Sequence, residues 1–437
     1  MKRSIKGRVA WAISAVLCYG AARADGSFEI GAGVHVGQNR NSLSATRNAL
    51  SNAGLTFRDE VMWSRIEVQK GTLTYPASLN DLEQLVNDAV SRKHPPILIL
   101  DYGNKFYGDG ELVTSPEGIA AFCRYAAFVV KHFAGRVTDF EVWNEWNIGQ
   151  GVHPLKNQSA ASYVNLLQAA YKSIKAANPN AKVLGPVMNG LDQNWIDAFG
   201  KAGGFAYLDG FSVHPYEFWY AKAPKPPSNF KATALRTVQE QAQFATISGT
   251  PEAAIGKLDK LKAQIDAFAP GRDLSVYVTE IGWPTNQGQF GSSEAQTAAY
   301  VQRFLSLART RKWLAGVWWY DLFDDGGDAT NKEHRYGLLH QDGSPKPAYN
   351  ALLELKDVLR SPGTFTEETH TDGTVIVSGK RSDGKNVKIA WVATNDVSGR
   401  ESSTLSASAL SPSFRAASGS TSGATQISGA PTLFVEQ

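Results

Sequence analysis

Eight short apolar runs, each closing on polar or aromatic residues and each followed by helix-like sequence, constrain this chain more than any other feature. They are Ile30–Val36, Thr56–Met62, Ile97–Leu100, Phe140–Trp143, Lys182–Leu184, Phe211–Val213, Ser275–Val278 and Ala315–Trp318. Strands buried on both faces read as continuous apolar runs, and parallel neighbours need a crossover helix between them. Eight such units predict an α/β fold, a closed (β/α)8 TIM barrel. The helical patterns cover Ser44–Ala53, Leu79–Arg92, Pro116–Phe133, Ser159–Ala177, Glu252–Ala267, Ser293–Arg311 and Ala348–Leu359, with Ser78 and Ser115 as expected caps. A barrel over residues 25–360 exceeds the ~250 residues typical of the fold, so some loops must be long.

The pattern changes after Ser361-Pro362-Gly363. Thr374–Ser378, Asn386–Ala393 and Thr432–Val435 alternate with period two, and Leu405, Leu410, Phe414 and Ile427 recur through the Ser/Gly-rich stretch between. Residues 361–437 are therefore expected to form a small all-β, sandwich-like domain. Trp391 alternates with apolar neighbours and is assigned to packing.

Residues 1–24 have the grammar of a signal peptide: a basic start, an apolar run from Val9 to Tyr19, and Ala22-Arg23-Ala24 before Asp25. Leu17 ahead of Cys18 does not suit a lipid-attachment motif. Lys2, Arg3, Lys6, Arg8 and Arg23 carry five positive charges without an acid, which turns the formal +3 of the chain into −2 for the rest. A nucleic-acid partner is not expected from that balance, nor is a membrane anchor. Export to the periplasm or the exterior follows. Cys123 then remains alone, so no internal disulfide is expected.

Two carboxylates carry the chemistry. Strand four ends Glu141-Val142-Trp143-Asn144-Glu145, and strand seven ends Val278-Thr279-Glu280-Ile281-Gly282-Trp283. Both glutamates fall at the carboxyl-terminal mouth, where barrels keep their active sites, on roughly opposite sides of the rim. One protonated and one ionised carboxyl flanking a bond is what glycoside hydrolysis requires. Trp63, Trp143, Trp146, Trp219, Trp283, Trp318 and Trp319 lie at or beyond strand ends, and about half are expected to meet the apolar faces of a sugar. The eight His show no metal-ligand spacing, so neither metal nor cofactor is expected.

On these residues the chain resembles glycoside hydrolase clan A, the retaining (β/α)8 glycosidases. Asn144-Glu145 is similar to the clan's acid/base signature and Thr279-Glu280-Ile281-Gly282-Trp283 to its nucleophile strand. Within the clan it most resembles family 39 and related bacterial endoglycosidases that process exopolysaccharides. Arg58-Asp59-Glu60 through Trp63, Trp319-Tyr320-Asp321, and Tyr336-Gly337-Leu338-Leu339 carry that likeness over about residues 28–360.

The resemblance implies Glu280 as nucleophile and Glu145 as acid/base, with carboxyls about 5–5.5 Å apart. It also implies Arg58 beside Glu280, Asn144 on the sugar hydroxyl next to the anomeric carbon, Tyr216 on the nucleophile and His214 near the scissile bond. His35, Trp219, Trp283 and Trp319 complete the expected sugar-binding set, and a non-proline cis peptide is expected in the Trp318-Trp319-Tyr320 run. The long loop after His214 reads either as a wall of the cleft or, equally, as an elaborated surface lid with a short helix at Thr233–Ala245. The Phe323–Arg335 loop, with Asp324, Asp325 and Asp328, is expected to be solvated. The substrate implied is a polysaccharide or oligosaccharide cut internally by a monomer. The alternatives are an exo-acting, xylosidase-like β-glycosidase and a non-catalytic carbohydrate-binding barrel.

Overall fold

The computed structural model describes residues 28–108, 112–151, 158–216, 249–288, 290–394, 397, 399, 402–405, 414–417 and 425–437. The expected signal peptide, Trp219, the helix at Thr233–Ala245 and Leu410 lie outside these residues.

Eight parallel strands close into a barrel in chain order: β1 (Glu29–Gly33), β2 (Thr56–Glu60), β3 (Ile97–Leu100), β4 (Asp139–Val142), β5 (Lys182–Asn189), β6 (Gly210–His214), β7 (Val276–Ile281) and β8 (Leu314–Trp319). Among the described residues, eight helices of nine or more residues pack outside them: α1 (Leu43–Ala53), α2 (Asn80–Ser91), α3 (Pro116–His132), α4 (Ala160–Ala177), α5 (Gln193–Lys201), α6 (Pro251–Phe268), α7 (Glu294–Thr310) and α8 (Pro347–Leu359). The starts are chemically marked. Ser115, Ser159 and Thr250 accept N-cap bonds, Ser293 forms a capping box with Gln296, and Pro116, Pro251 and Pro347 occupy first-turn positions.

Two details depart from expectation. Ser78 does not cap α2, because a single 3-10 turn at Ala77–Leu79 leads into it. Helix α5, nine residues long, has no counterpart among the expected helices, although Asp192 accepts bonds from the N–H groups of both Asn194 and Trp195.

The barrel is filled, not hollow. Ile97, Leu184, Tyr277 and Trp318 form an interior layer, with the Tyr277 and Trp318 rings stacked at 6.2 Å. Gly31 on β1 is required there, since a Cβ would come within 2.3 Å of the Trp318 ring.

Beyond α8 the chain forms β9 (Thr366–Thr369), β10 (Thr374–Lys380), β11 (Asn386–Val392), β12 (Ser403–Leu405), β13 (Phe414–Ala416), β14 (Thr425–Ile427) and β15 (Thr432–Glu436). A five-stranded antiparallel sheet runs β13-β15-β11-β10-β9, and β12 pairs with β14. Period-two alternation gives the larger sheet two apolar faces. Val375, Val377, Val387, Ile389 and Trp391 join the barrel's own hydrophobic cluster, while Ile376, Ala390 and Phe434 meet Leu405 and Ile427 of the small sheet. No helix among the described residues is long and apolar enough to cross a membrane.

Candidate active site

The carboxyl-terminal mouth of the barrel holds a cavity of about 730 Å³. Strand geometry aims its key residues. On β4, Glu141 is completely buried, and the chain then turns through left-handed backbone at Trp143 (φ 69) and Glu145 (φ 49). Non-glycine residues pay for that conformation, and here hydrogen bonds hold it: Trp143 N–H donates to Leu100 O at 2.9 Å and Glu145 N–H to Val187 O at 2.8 Å. The turn presents Asn144 and Glu145 together to the cavity. On β7 the register against β8 slips between Val278 and Ile281, so β7 carries one extra residue there. Such a bulge re-aims a side chain, and Glu280 faces the cavity.

Arg58, from β2, is the hub. Its Nε donates to Glu141 Oε2 at 2.6 Å, Nη1 to Glu280 Oε1 at 2.6 Å and Nη2 to Asn144 Oδ1 at 2.9 Å. Burial opposes its charge, but Glu141 and Glu280 more than restore it and hold its pKa above the usual arginine value. Tyr216 O–H donates to Glu280 Oε2 at 3.0 Å.

His214 is fully buried, and its Nδ1 lies 2.7 Å from Glu145 Oε1 and 3.6 Å from Glu280 Oε2. It stands between the two carboxylates behind the cavity rather than on its lining. Its Nε2 is buried with no hydrogen-bond partner among the described residues.

One oxygen of each glutamate and His214 Nδ1 lie within 4.8 Å of one another. At Glu145, burial raises the pKa, but the His214 and Asn189 hydrogen bonds and the charge on Arg58 outweigh it and leave the carboxyl below its usual value. At Glu280 the balance is reversed. Burial, aided by the charge of Glu145, prevails over His214, Arg58 and Tyr216 and leaves its pKa raised. The two carboxyls are thus pushed apart, Glu145 downward and Glu280 upward, and they titrate as one coupled pair.

His35 lines the other side of the cavity, with Nε2 2.8 Å from Asp321 Oδ2 and 3.7 Å from Asp325 Oδ2. Burial lowers its pKa, but Asp321 and Asp325 dominate and raise it to about 10. These three residues have metal-like spacing. Arg40 also occupies Asp325 at 2.8 Å. The loop expected to be solvated is instead built in here, since Asp324 is fully buried and held by Lys346 Nζ at 2.6 Å. Asp328 alone of the three remains exposed, bonded to Thr330.

The tryptophans need a correction. Trp63, Trp143, Trp146, Trp283, Trp318 and Trp319 are at most 2 % exposed, and none lines the cavity. Trp283 and Trp319 pack together at 5.7 Å beneath the rim, and Trp283 Nε1 donates to Gly249 O. Tyrosines take the wall instead: Tyr102, Tyr216, Tyr320 and Tyr336, with Tyr336 5.3 Å from Tyr320 and 6.1 Å from Tyr216. Glu60, Gln38 and Asn189 also line the cavity, and sequence reasoning did not single them out as ligands. The cis peptide lies one residue beyond the expected run, at Tyr320-Asp321, with a second at Asp101-Tyr102.

Comparisons with known proteins bear on the family and the fold. A family model, glycosyl hydrolases family 39, matches residues 113–412. A family 39 glycoside hydrolase from the gut symbiont Bacteroides cellulosilyticus WH2 superposes with TM-score 0.71 at 25% identity, covering 94% of this chain and 82% of that one. A family 39 β-xylosidase from Caulobacter crescentus gives 0.58 at 19% identity, over 84% and 78%. A GH5_18 protein from Streptomyces cattleya, solved with GlcNAc, gives 0.59 at 17% identity, over 78% and 83%.

Proposed function

The chain belongs to glycosyl hydrolase family 39, a family of retaining enzymes, and from that premise we propose that it is exported and cuts internal β-glycosidic bonds of a polysaccharide, a bacterial exopolysaccharide in particular. The observation that carries the mechanism is the pair of carboxylates, one oxygen of each within 4.8 Å across a sugar-sized cavity. Such proximity falls short of the ~6.5–9.5 Å at which inverting enzymes seat their attacking water, and it suits double displacement.

A Glu280 oxygen attacks the anomeric carbon as the bond to the leaving oxygen breaks, and Glu145 passes its proton to that oxygen. Water then attacks the glycosyl ester, Glu145 takes the water's proton, and Glu280 departs as carboxylate. Arg58 and Tyr216 stabilise the charge on Glu280 before and after it is esterified. Asn144 holds the adjacent sugar hydroxyl, a contact that strengthens in the transition state. A second hollow of about 170 Å³, lined by Ser42, Phe323 and Gln341, shares Arg40 with the main cavity and supports a chain running past the cut. The basic, apolar start ending Ala22-Arg23-Ala24 supports export.

Anion rescue tests the assignment on any polysaccharide the unaltered enzyme cleaves. Glu280→Ala with azide should yield α-glycosyl azides, and Glu145→Ala with azide should yield β-glycosyl azides. β-Products from the Glu280 variant would overturn its role as nucleophile.

A further inference from the structure

The hydrogen bonds around Asn144 have a direction that the donor chemistry fixes. A guanidinium offers only N–H groups, so the Asn144 atom 2.9 Å from Arg58 Nη2 must be its carbonyl oxygen. The amide nitrogen then faces the other way, 2.9 Å from the Tyr102 hydroxyl. An amide nitrogen can only donate, so the Tyr102 oxygen accepts. Arg58 cannot turn to reverse this, because Glu141 and Glu280 hold its other two nitrogens. The polarity therefore runs from Arg58 through Asn144 to Tyr102 and ends on a hydroxyl hydrogen that Asn144 does not use.

Tyr102 is half-buried and lines the catalytic cavity beside Asn144. Its ring is set edge-on against the completely buried Trp143 at 5.7 Å, which fixes where the hydroxyl sits. Burial and the nearby Glu60 and Asp101 push its pKa well above the usual tyrosine value, so the hydroxyl keeps its hydrogen at any working pH.

Resting on the glycosidase reading above, we propose that Tyr102 is a substrate-binding residue: its O–H donates to a sugar oxygen adjacent to the hydroxyl that Asn144 holds. The relay leaves Tyr102 its hydrogen to donate at this position. It selects sugars that present an oxygen there and disfavours those carrying hydrogen at that carbon. Asn144, with one amide hydrogen on Tyr102, keeps the second for its own sugar contact.

Tyr102→Phe removes the oxygen and keeps the ring. On the polysaccharide that the unaltered enzyme cleaves, kcat/KM should fall about three- to tenfold, the worth of one neutral hydrogen bond. The same fall should persist in an Asn144→Ala background, because the sugar contact belongs to Tyr102 itself. A loss confined to the Asn144-containing enzyme would mean that Tyr102 only orients Asn144, and would overturn the proposal. So would an unchanged kcat/KM, or a crystal structure of Tyr102→Phe in which the Asn144 amide has turned. No turnover by the unaltered enzyme on any polysaccharide would instead overturn the reading beneath it, and the inference with it.

Discussion

At the scale of single residues, the catalytic pair is a problem of one proton and two buried carboxyls. His214 and Asn189 hold Glu145 below the usual carboxylate value, while burial and the charge of Glu145 hold Glu280 above it. Below the lowered value both carboxyls are protonated and no nucleophile exists. Above the raised value neither is, and no acid exists. The kcat/KM profile should therefore be bell-shaped, with its acid limb below and its alkaline limb above the ordinary glutamate value near 4.5. Initial rates across pH check this, and a profile with both limbs on one side of that value would contradict it. The two glutamates are legible because each stands at or near the end of a strand in a chemically marked motif, while Arg58, within β2, and Asn144 and Tyr216 are legible through the family resemblance. Tyr102 is not. Its role arises from the polarity of bonds between β2, β3 and β4, which no local pattern records. The tryptophans mislead for a related reason. A strand end places a ring at the rim, but alternation decides whether it faces the cavity or the helices, and a one-residue turn such as Trp143 (φ 69) changes the answer.

At the scale of elements, apolar runs such as Ile97–Leu100 coincide with their strands because a fully buried strand has nothing else to show. Helix α5 escapes because nine residues offer little periodicity, with Ile196 and Phe199 its only fully packed side chains. The bulge in β7 is likewise invisible in sequence, yet it turns Glu280 toward the cavity. Elements α6, α7 and β11 meet at one buried ion pair. Arg303 from α7 donates Nε to Glu252 Oε1 at 2.8 Å and Nη1 to Thr394 O at 2.6 Å, and Trp391 Nε1 donates to the same Glu252 oxygen at 2.8 Å. Arg303 has no exposure, so its loss strands the Glu252 charge. Arg303→Leu should lower stability by about 3 kcal/mol, the lower end for a broken buried pair because Glu252 retains some exposure. Guanidinium unfolding at pH 7 measures it. A change under about 0.5 kcal/mol, no more than an ordinary surface substitution, would show that the sheet does not depend on this joint.

At the scale of the whole molecule, the order of eight strand-helix units followed by period-two segments is sufficient to read both architectures. The docking of the C-terminal sheet is less legible. Val375 and Ile376 are equally apolar neighbours, and only the structure shows that one faces the barrel cluster and the other the small sheet. Substrate choice belongs to this scale too, since the cavity walls come from most of the barrel's strand ends and from the loops beyond them. The shared Arg40 between two hollows is the feature that favours a long chain over a terminal sugar. Product sizing tests that most directly. Protein beginning at Asp25 is incubated with neutral and acidic polysaccharides, including the exopolysaccharide of its own source organism, and products are resolved by length over time. Internal cleavage predicts an early ladder of oligosaccharides and a rapid fall in polymer size. Monosaccharide released alone, from a polymer that keeps its length, would contradict it.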